Sequence, residues 1–154
     1  MPKAEFEWIP IISGRAWALG LDVPAELIGT EAALVLADVD PGLAGRIRAG
    51  DMLVAGRFGD GIADDRPIRA LLGLGIGAVL TDAIDERFAA FAAELGLRVV
   101  VLSEALGIRT GDELRVDFEG TRVVNHSTGN RYPIRNLDND LLKQYRRSIE
   151  AANA

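Results

Sequence analysis

The residues with the means to do chemistry gather between Phe58 and Pro67, in the run Phe-Gly-Asp-Gly-Ile-Ala-Asp-Asp-Arg-Pro. An apolar stretch, Asp51 to Ala55, ends just before this run, and a helical pattern, Asp64 to Leu74, begins inside it. Gly59 and Gly61 let the backbone come close to a ligand. A strand end followed by a helix start leaves backbone N–H groups facing outward, and together with the helix dipole they favour an anion. The lysine of a Walker A loop and the third glycine of a dinucleotide fingerprint are missing, so a plain strand-to-helix connection is the competing reading. Asp60, Asp64 and Asp65 crowd the turn. They are candidates for acid/base work or for ligating a hard cation. Equally, Asp64 or Asp65 is a helix cap, because an acid at a helix start is stabilising. Arg66 offers a fork for a substrate carboxylate or an ion-pair partner for Asp60.

Little else in the chain competes with that turn. His126, the one histidine, sits in Asn125-His-Ser-Thr-Gly129, where it reads as a solvated turn residue. Ser127 and Thr128 suit turn hydrogen bonding better than nucleophilic attack. Trp8, Trp17 and the Phe88/Phe91 pair read as packing residues, and Arg146-Arg147 as a solvated helix face.

The flanking elements set where the turn must lie. Ala78 to Thr81 is a second apolar strand. Asp85 to Leu95 is a helix with Phe88, Phe91, Ala92 and Leu95 on one face and Gly96 as its stop. Leu97 to Leu102 is a buried-type strand. Strand, helix, strand, helix, strand implies right-handed crossovers and a parallel sheet, with the Gly59–Asp65 turn at its C-terminal edge. Upstream, Glu5 to Ile12 and Gly14 to Leu19 read as two strands. Val23 to Ile28 reads as a short helical turn with Pro24 at its first position and Asp22 near its cap. Glu31 to Leu36 is ambiguous between helix and strand, and Asp40-Pro-Gly42 is a turn. Downstream, Asp112 to Phe118 and Thr121 to Asn125 alternate around Glu119-Gly120 and form a hairpin. Another turn leads to Arg131–Ile134. Leu141 to Ala152 is a terminal amphipathic helix capped near Asp138 or Asn139.

Bulk composition narrows the function classes. The chain has 154 residues, of which 49% are hydrophobic, which suits one domain over 1–154 with a real core. No apolar run is long enough for a membrane span. Two glutamates precede the first apolar patch, unlike a secretory signal, so a cytoplasmic protein is expected. The absence of cysteine removes thiol nucleophiles, disulfides and any iron–sulfur or Cys-type zinc site made by this chain alone. With a net charge of −6 and scattered basic residues, nucleic acid is not an expected partner.

In order along the chain, these segments resemble the small subunit of 3-isopropylmalate dehydratase, the detached swivel domain of the aconitase superfamily. Gly14-Arg-Ala-Trp-Ala-Leu-Gly20 followed by Asp22 is similar to its opening strand and aspartate-rich segment. Gly50-Asp-Met-Leu-Val-Ala-Gly56 and Phe58-Gly-Asp-Gly61 are similar to its strand and glycine turn. Gly75–Leu80, Gly96–Val101, Gly111–Asp117 and Ser127-Thr-Gly129 fit its later strands and hairpin. The resemblance runs from about Gly14 to Leu142.

It implies a three-layer swivelling β/β/α domain with a mainly parallel central sheet and an added hairpin region. It also implies a large partner subunit that carries a [4Fe–4S] cluster, and a small carboxylic-acid substrate that is dehydrated and rehydrated between the two. No cofactor is then bound by this chain, and the isolated chain is inactive. In the family a Ser-Ser-Arg-Glu turn supplies a base and a substrate-binding arginine. Those positions fall here on Ile62, Ala63, Asp64 and Asp65, and Ser-Phe-Ala-Arg further on falls on Ala83-Ile-Asp-Glu86. An isoleucine cannot take a proton, and an aspartate repels a carboxylate that an arginine would hold. The expected site is therefore Asp64 and Asp65 for chemistry, with Gly59, Asp60, Gly61, Ile62, Ala63, Arg66 and Asp22 around the substrate. Three readings stay open: a hydro-lyase subunit with an altered substrate, a binding or regulatory protein that kept the scaffold and lost the chemistry, and a stand-alone small-molecule binder.

Overall fold

The computed structural model describes residues 11–118 and 120–135. All but the last two residues of the expected Glu5–Ile12 strand, Glu119 of the hairpin turn and the Leu141–Ala152 helix lie outside the described residues.

The strands are β1 (Ile11–Ala18), β2 (Asp22–Val23), β3 (Met52–Phe58), β4 (Ala78–Ile84), β5 (Val99–Val101), β6 (Glu113–Asp117), β7 (Arg122–Asn125) and β8 (Arg131–Pro133). The helices are α1 (Ala25–Ile28), α2 (Leu43–Arg46), α3 (Arg66–Leu74) and α4 (Glu86–Leu95). All eight strands join one sheet in the order β5-β4-β3-β1-β6-β7-β8, with β2 beside the end of β3. The pairs β1/β3, β3/β4, β4/β5 and β2/β3 are parallel, as the strand–helix–strand pattern requires. The pairs β1/β6, β6/β7 and β7/β8 are antiparallel.

Strand β1 serves both halves. Its first residues, Ile11 to Arg15, pair with β6, and Ala16 to Ala18 pair with Met52 to Val54 of β3. The sequence reading of a break near Ser13 is corrected here: Ile11–Ala18 is one continuous strand. Gly14 makes that possible, because a Cβ there would collide with the Gly50 carbonyl. Gly77 meets the same carbonyl, and its Cβ would come within 2.6 Å. Three backbones therefore press together at the N-terminal edge of the parallel strands.

Alternation along β3 and β4 builds two cores, since successive side chains face opposite sides of a sheet. Leu53, Ala55 and Val79 pack on one side with Ile68 and Leu71 of α3 and Phe88 and Ala92 of α4. Met52, Val54, Ala78 and Leu80 pack on the other with Leu114, Val116, Val123 and Tyr132 of the antiparallel strands. The layers are thus helices, parallel sheet and antiparallel sheet, matching the expected β/β/α arrangement. Near-continuous burial along β3 is what a parallel strand covered on both faces demands.

Local signals explain the helix ends. Asp85 caps α4, its Oδ1 accepting from the N–H groups of Arg87 at 2.9 Å and Phe88 at 3.1 Å. Gly75 and Gly96 end α3 and α4 in the left-handed conformation. Upstream, Pro24 is the N-cap residue of α1 rather than its first helical residue, and Asp22 is a strand residue paired with Arg57. The ambiguous Glu31–Leu36 segment contains a 3₁₀ turn, Ala32–Leu34.

Candidate functional site

Strands β3 and β4 end together at Phe58 and Ile84, and the chain leaves β3 through Gly59. Gly59 has φ +89°, and a Cβ on it would lie 2.5–2.7 Å from Phe88 side-chain atoms. Phe88 is fully buried and meets Phe58 edge-on at 5.4 Å between ring centroids. Only glycine fits, so the turn is seated directly on the aromatic pair. Below it, the buried Thr81 hydroxyl donates to the Ala83 carbonyl at 2.8 Å and also lies 3.0 Å from the Gly56 carbonyl, tying the two strand ends.

The turn is stitched sideways to β2 and α1. The Gly59 N–H donates to the Val23 carbonyl at 2.9 Å, and the Ala25 N–H donates to the Asp60 carbonyl at 2.8 Å. Ile62 is buried in the same core as Ile28 of α1. That corrects the expectation that the Ile62 side chain borders the substrate: it anchors the turn from beneath. Gly61, Ala63 and Arg66 are exposed above it. Between them and α1 runs an open groove of about 200 Å³, lined by Ala25, Glu26, Gly29, Thr30, Gly61, Ala63, Asp64, Arg66 and Pro67.

Each arginine at this corner is matched to an aspartate. Arg57 pairs with Asp60 through its Nε. The Arg66 fork grips Asp64 with Nε at 3.0 and 3.1 Å from the two carboxylate oxygens and Nη2 at 2.9 Å from one of them. Arg69 Nε lies 3.1 Å from Asp65 Oδ2. The choice left open in the sequence is thereby resolved: the partner of Arg66 is Asp64, and Asp60 goes to Arg57. The Arg66 side chain, and then its backbone N–H, hold the Asp64 carboxyl below the usual carboxylate range. Asp64 is therefore ionised at neutral pH. Asp60 raises the Arg57 pKa further, chiefly by hydrogen bond, with Asp22 and Asp85 adding smaller contributions. The other Asp60 oxygen, Oδ1, is buried without a hydrogen-bond partner.

The capping expectation is met in part. Asp65 occupies the N-cap position of α3 but makes no side-chain cap bond; Asp64 instead accepts the Arg66 N–H at 3.0 Å. Asp22 stands on β2 beside Arg57, at the rim and outside the groove lining. His126 lies elsewhere, in a second groove with Ser13, Arg15, Asp51 and Glu113. Thr128 Oγ1 accepts the Asn130 N–H at 3.2 Å within its turn, whereas Ser127 Oγ accepts the Glu113 N–H at 2.9 Å and ties the turn to the start of β6. Trp17 donates its indole N–H to Asp51 at 2.9 Å, a packing role.

Sequence reasoning missed Glu26, Thr30 and Arg57 as neighbours of the corner. No local spacing announces them, because the pairing of β2 with the end of β3 is what brings α1 across. Among the described residues, no group of three or more His, Asp and Glu could hold a metal ion. No helix there is long and apolar enough to cross a membrane.

No family model matches the chain. It is similar to 3-isopropylmalate dehydratase small subunit 1 of Archaeoglobus fulgidus, with 34% identity over 143 residues, covering 85% of this chain and 88% of that one. It is likewise similar to the 3-isopropylmalate dehydratase small subunit of Moorella thermoacetica, with 31% identity over 137 residues, 80% of this chain and 82% of that one. Among solved structures, the 3-isopropylmalate dehydratase of Methanocaldococcus jannaschii superposes with a TM-score of 0.77, covering 94% of this chain and 99% of that one at 23% identity. That superposition supports the fold.

Proposed function

We propose, from the premise that this chain belongs to the family of 3-isopropylmalate dehydratase small subunits, that it is the closing half of a hydro-lyase. Its Gly59–Asp65 corner would shut over a hydroxy acid held on a separate large subunit. The observation that carries this reading is the match at 34% identity over 85% of the chain. The geometry agrees with it. The corner is at the C-terminal edge of the parallel strands, its outer residues are exposed, and it borders an open groove. Ligands of open α/β sheets bind at that edge.

With no cysteine, this chain offers no thiolate to a cluster, so a [4Fe–4S] cluster belongs to the large subunit. Bound there, it supplies the Lewis acidity that loosens a hydroxyl group. This chain's part is to exclude water, to orient the substrate and to handle a proton. Gly59 and Gly61 permit close backbone approach. Asp64 is a groove carboxylate on the corner itself, placed to exchange a proton with Arg66 as its counter-charge, and Asp65 stands behind it on Arg69. The groove is short of the cations that grip a dicarboxylate, so the substrate differs from that of the relatives.

The same pairing favours a second reading, a regulatory subunit that docks without chemistry, because residues 59–65 include no serine and Arg57, Arg66 and Arg69 each face an aspartate. Co-expression with the large subunit separates the two. A hydro-lyase subunit yields an active complex in which Asp64→Asn, or Asp64→Asn with Asp65→Asn, lowers turnover at least about tenfold. A complex that forms but turns over no hydroxy acid supports the regulatory reading. Full activity of both variants removes the aspartates from the mechanism.

A further inference from the structure

We infer that the end of the substrate facing this subunit carries no carboxylate: the groove between α1 and the corner suits a neutral or cationic polar group. This rests on the reading of the chain as a dehydratase subunit and names the substrate class of that site.

The charges in the groove come from Glu26, Asp64 and Arg66. The Nε/Nη2 edge of Arg66 is already taken by Asp64, whose carboxylate offsets its charge, so an incoming carboxylate meets an ion pair rather than a free cation. Asp64 is tethered two residues away, so displacing it sets an external carboxylate against an intramolecular one and then leaves the two anions side by side. Glu26 faces the groove exposed, with no ion pair among the described residues. Arg57 and Arg69 cannot compensate, since Asp60 and Asp65 hold them. In the open domain water screens these charges. Once a partner covers the corner, the dielectric falls and each like-charge contact becomes more costly. An amide, hydroxyl or ammonium group avoids that cost, and the Thr30 hydroxyl in the lining can donate to or accept from it.

The test uses the full chain assembled with its large subunit and three probes: 3-isopropylmalate and each of its two monoamides. One monoamide is expected to exceed the diacid in kcat/KM by about tenfold or more, the effect of one unfavourable charge contact. Glu26→Lys should shift that ratio at least about tenfold toward the diacid, and Glu26→Gln should give an intermediate ratio. A diacid preferred by the native complex, with a ratio that Glu26→Lys leaves unchanged, overturns the inference while leaving the dehydratase reading intact. An assembled complex inert toward all three probes overturns the inference; the dehydratase reading falls with it only if the complex also turns over no other hydroxy acid.

Discussion

Replacing Gly59 by alanine tests how the corner is held. Two costs act at once. The residue has φ +89°, and an L side chain in the left-handed region costs about 1–2 kcal/mol. Its Cβ would also fall 2.5–2.7 Å from Phe88, whose buried ring has no room to retreat, and overpacking of that kind costs about 1–3 kcal/mol. Gly59→Ala should therefore destabilise the domain by about 2–5 kcal/mol. Gly61 provides the control in the same turn. It has φ +80° but nothing within 4 Å of a built Cβ, so Gly61→Ala should cost only the conformational part, about 1–2 kcal/mol. Urea titration followed by far-UV circular dichroism measures both, with an unchanged m-value as the check that two-state unfolding persists. In a thermal melt each kcal/mol corresponds to about 2–4 °C for a domain of this size. The clash is read from a double-mutant cycle: Gly59→Ala should cost less in a Phe88→Leu background than in the native chain. Equal losses for Gly59→Ala and Gly61→Ala, or no coupling to position 88, would show that the turn does not rest on Phe88.

Further outcomes follow from packing and protonation. Phe88→Ala removes the floor of the corner and should cost about 3–5 kcal/mol in urea denaturation. Asn125 is fully buried; its side chain donates to Asp112 at 2.9 Å and accepts from the N–H groups of Ser127 and Thr128. Asn125→Leu removes these three hydrogen bonds and should cost about 0.5–1.5 kcal/mol for each, read from the same titration. The Arg109 N–H, and then Asn125, hold the Asp112 carboxyl below its ordinary range. A folded pKa below the unfolded one gives stability that is complete above the unfolded value, about 3.9, and is lost as pH falls through the folded value. Urea midpoints should thus fall more steeply below about pH 4 in the native chain than in Asp112→Asn, whose stability at neutral pH starts lower.

The parts legible in the sequence are those written in local signals. Gly96 as a stop, the helical patterns of α3 and α4 and the apolar runs of β3 and β4 point to the parallel core without reference to distant residues. The position of the turn at the strand ends follows from that pattern. Contacts made across the fold are another matter. The division of β1 between two partners depends on backbone approach at Gly14, which no periodicity encodes. Glu26 reaches the corner only because β2 pairs with Arg57 and Phe58. Ile62 points inward because α1 covers it, and apolar character alone did not distinguish that from a substrate wall. Three aspartates and three arginines within a short stretch allow many pairings, and only side-chain reach selects Arg57–Asp60, Arg66–Asp64 and Arg69–Asp65.

The crowding around the Gly50 carbonyl sets where this domain can change and where it cannot. Any side chain at Gly14 or Gly77 would prise apart the strands where the parallel and antiparallel parts of the sheet meet, so that end admits a single residue type. At the opposite end, above Gly61, a new side chain meets only solvent. A scaffold so fastened at its base can exchange the exposed residues of its rim, Ala63 and Arg66 among them, and still fold, which makes the specificity of the rim separable from the endurance of the frame.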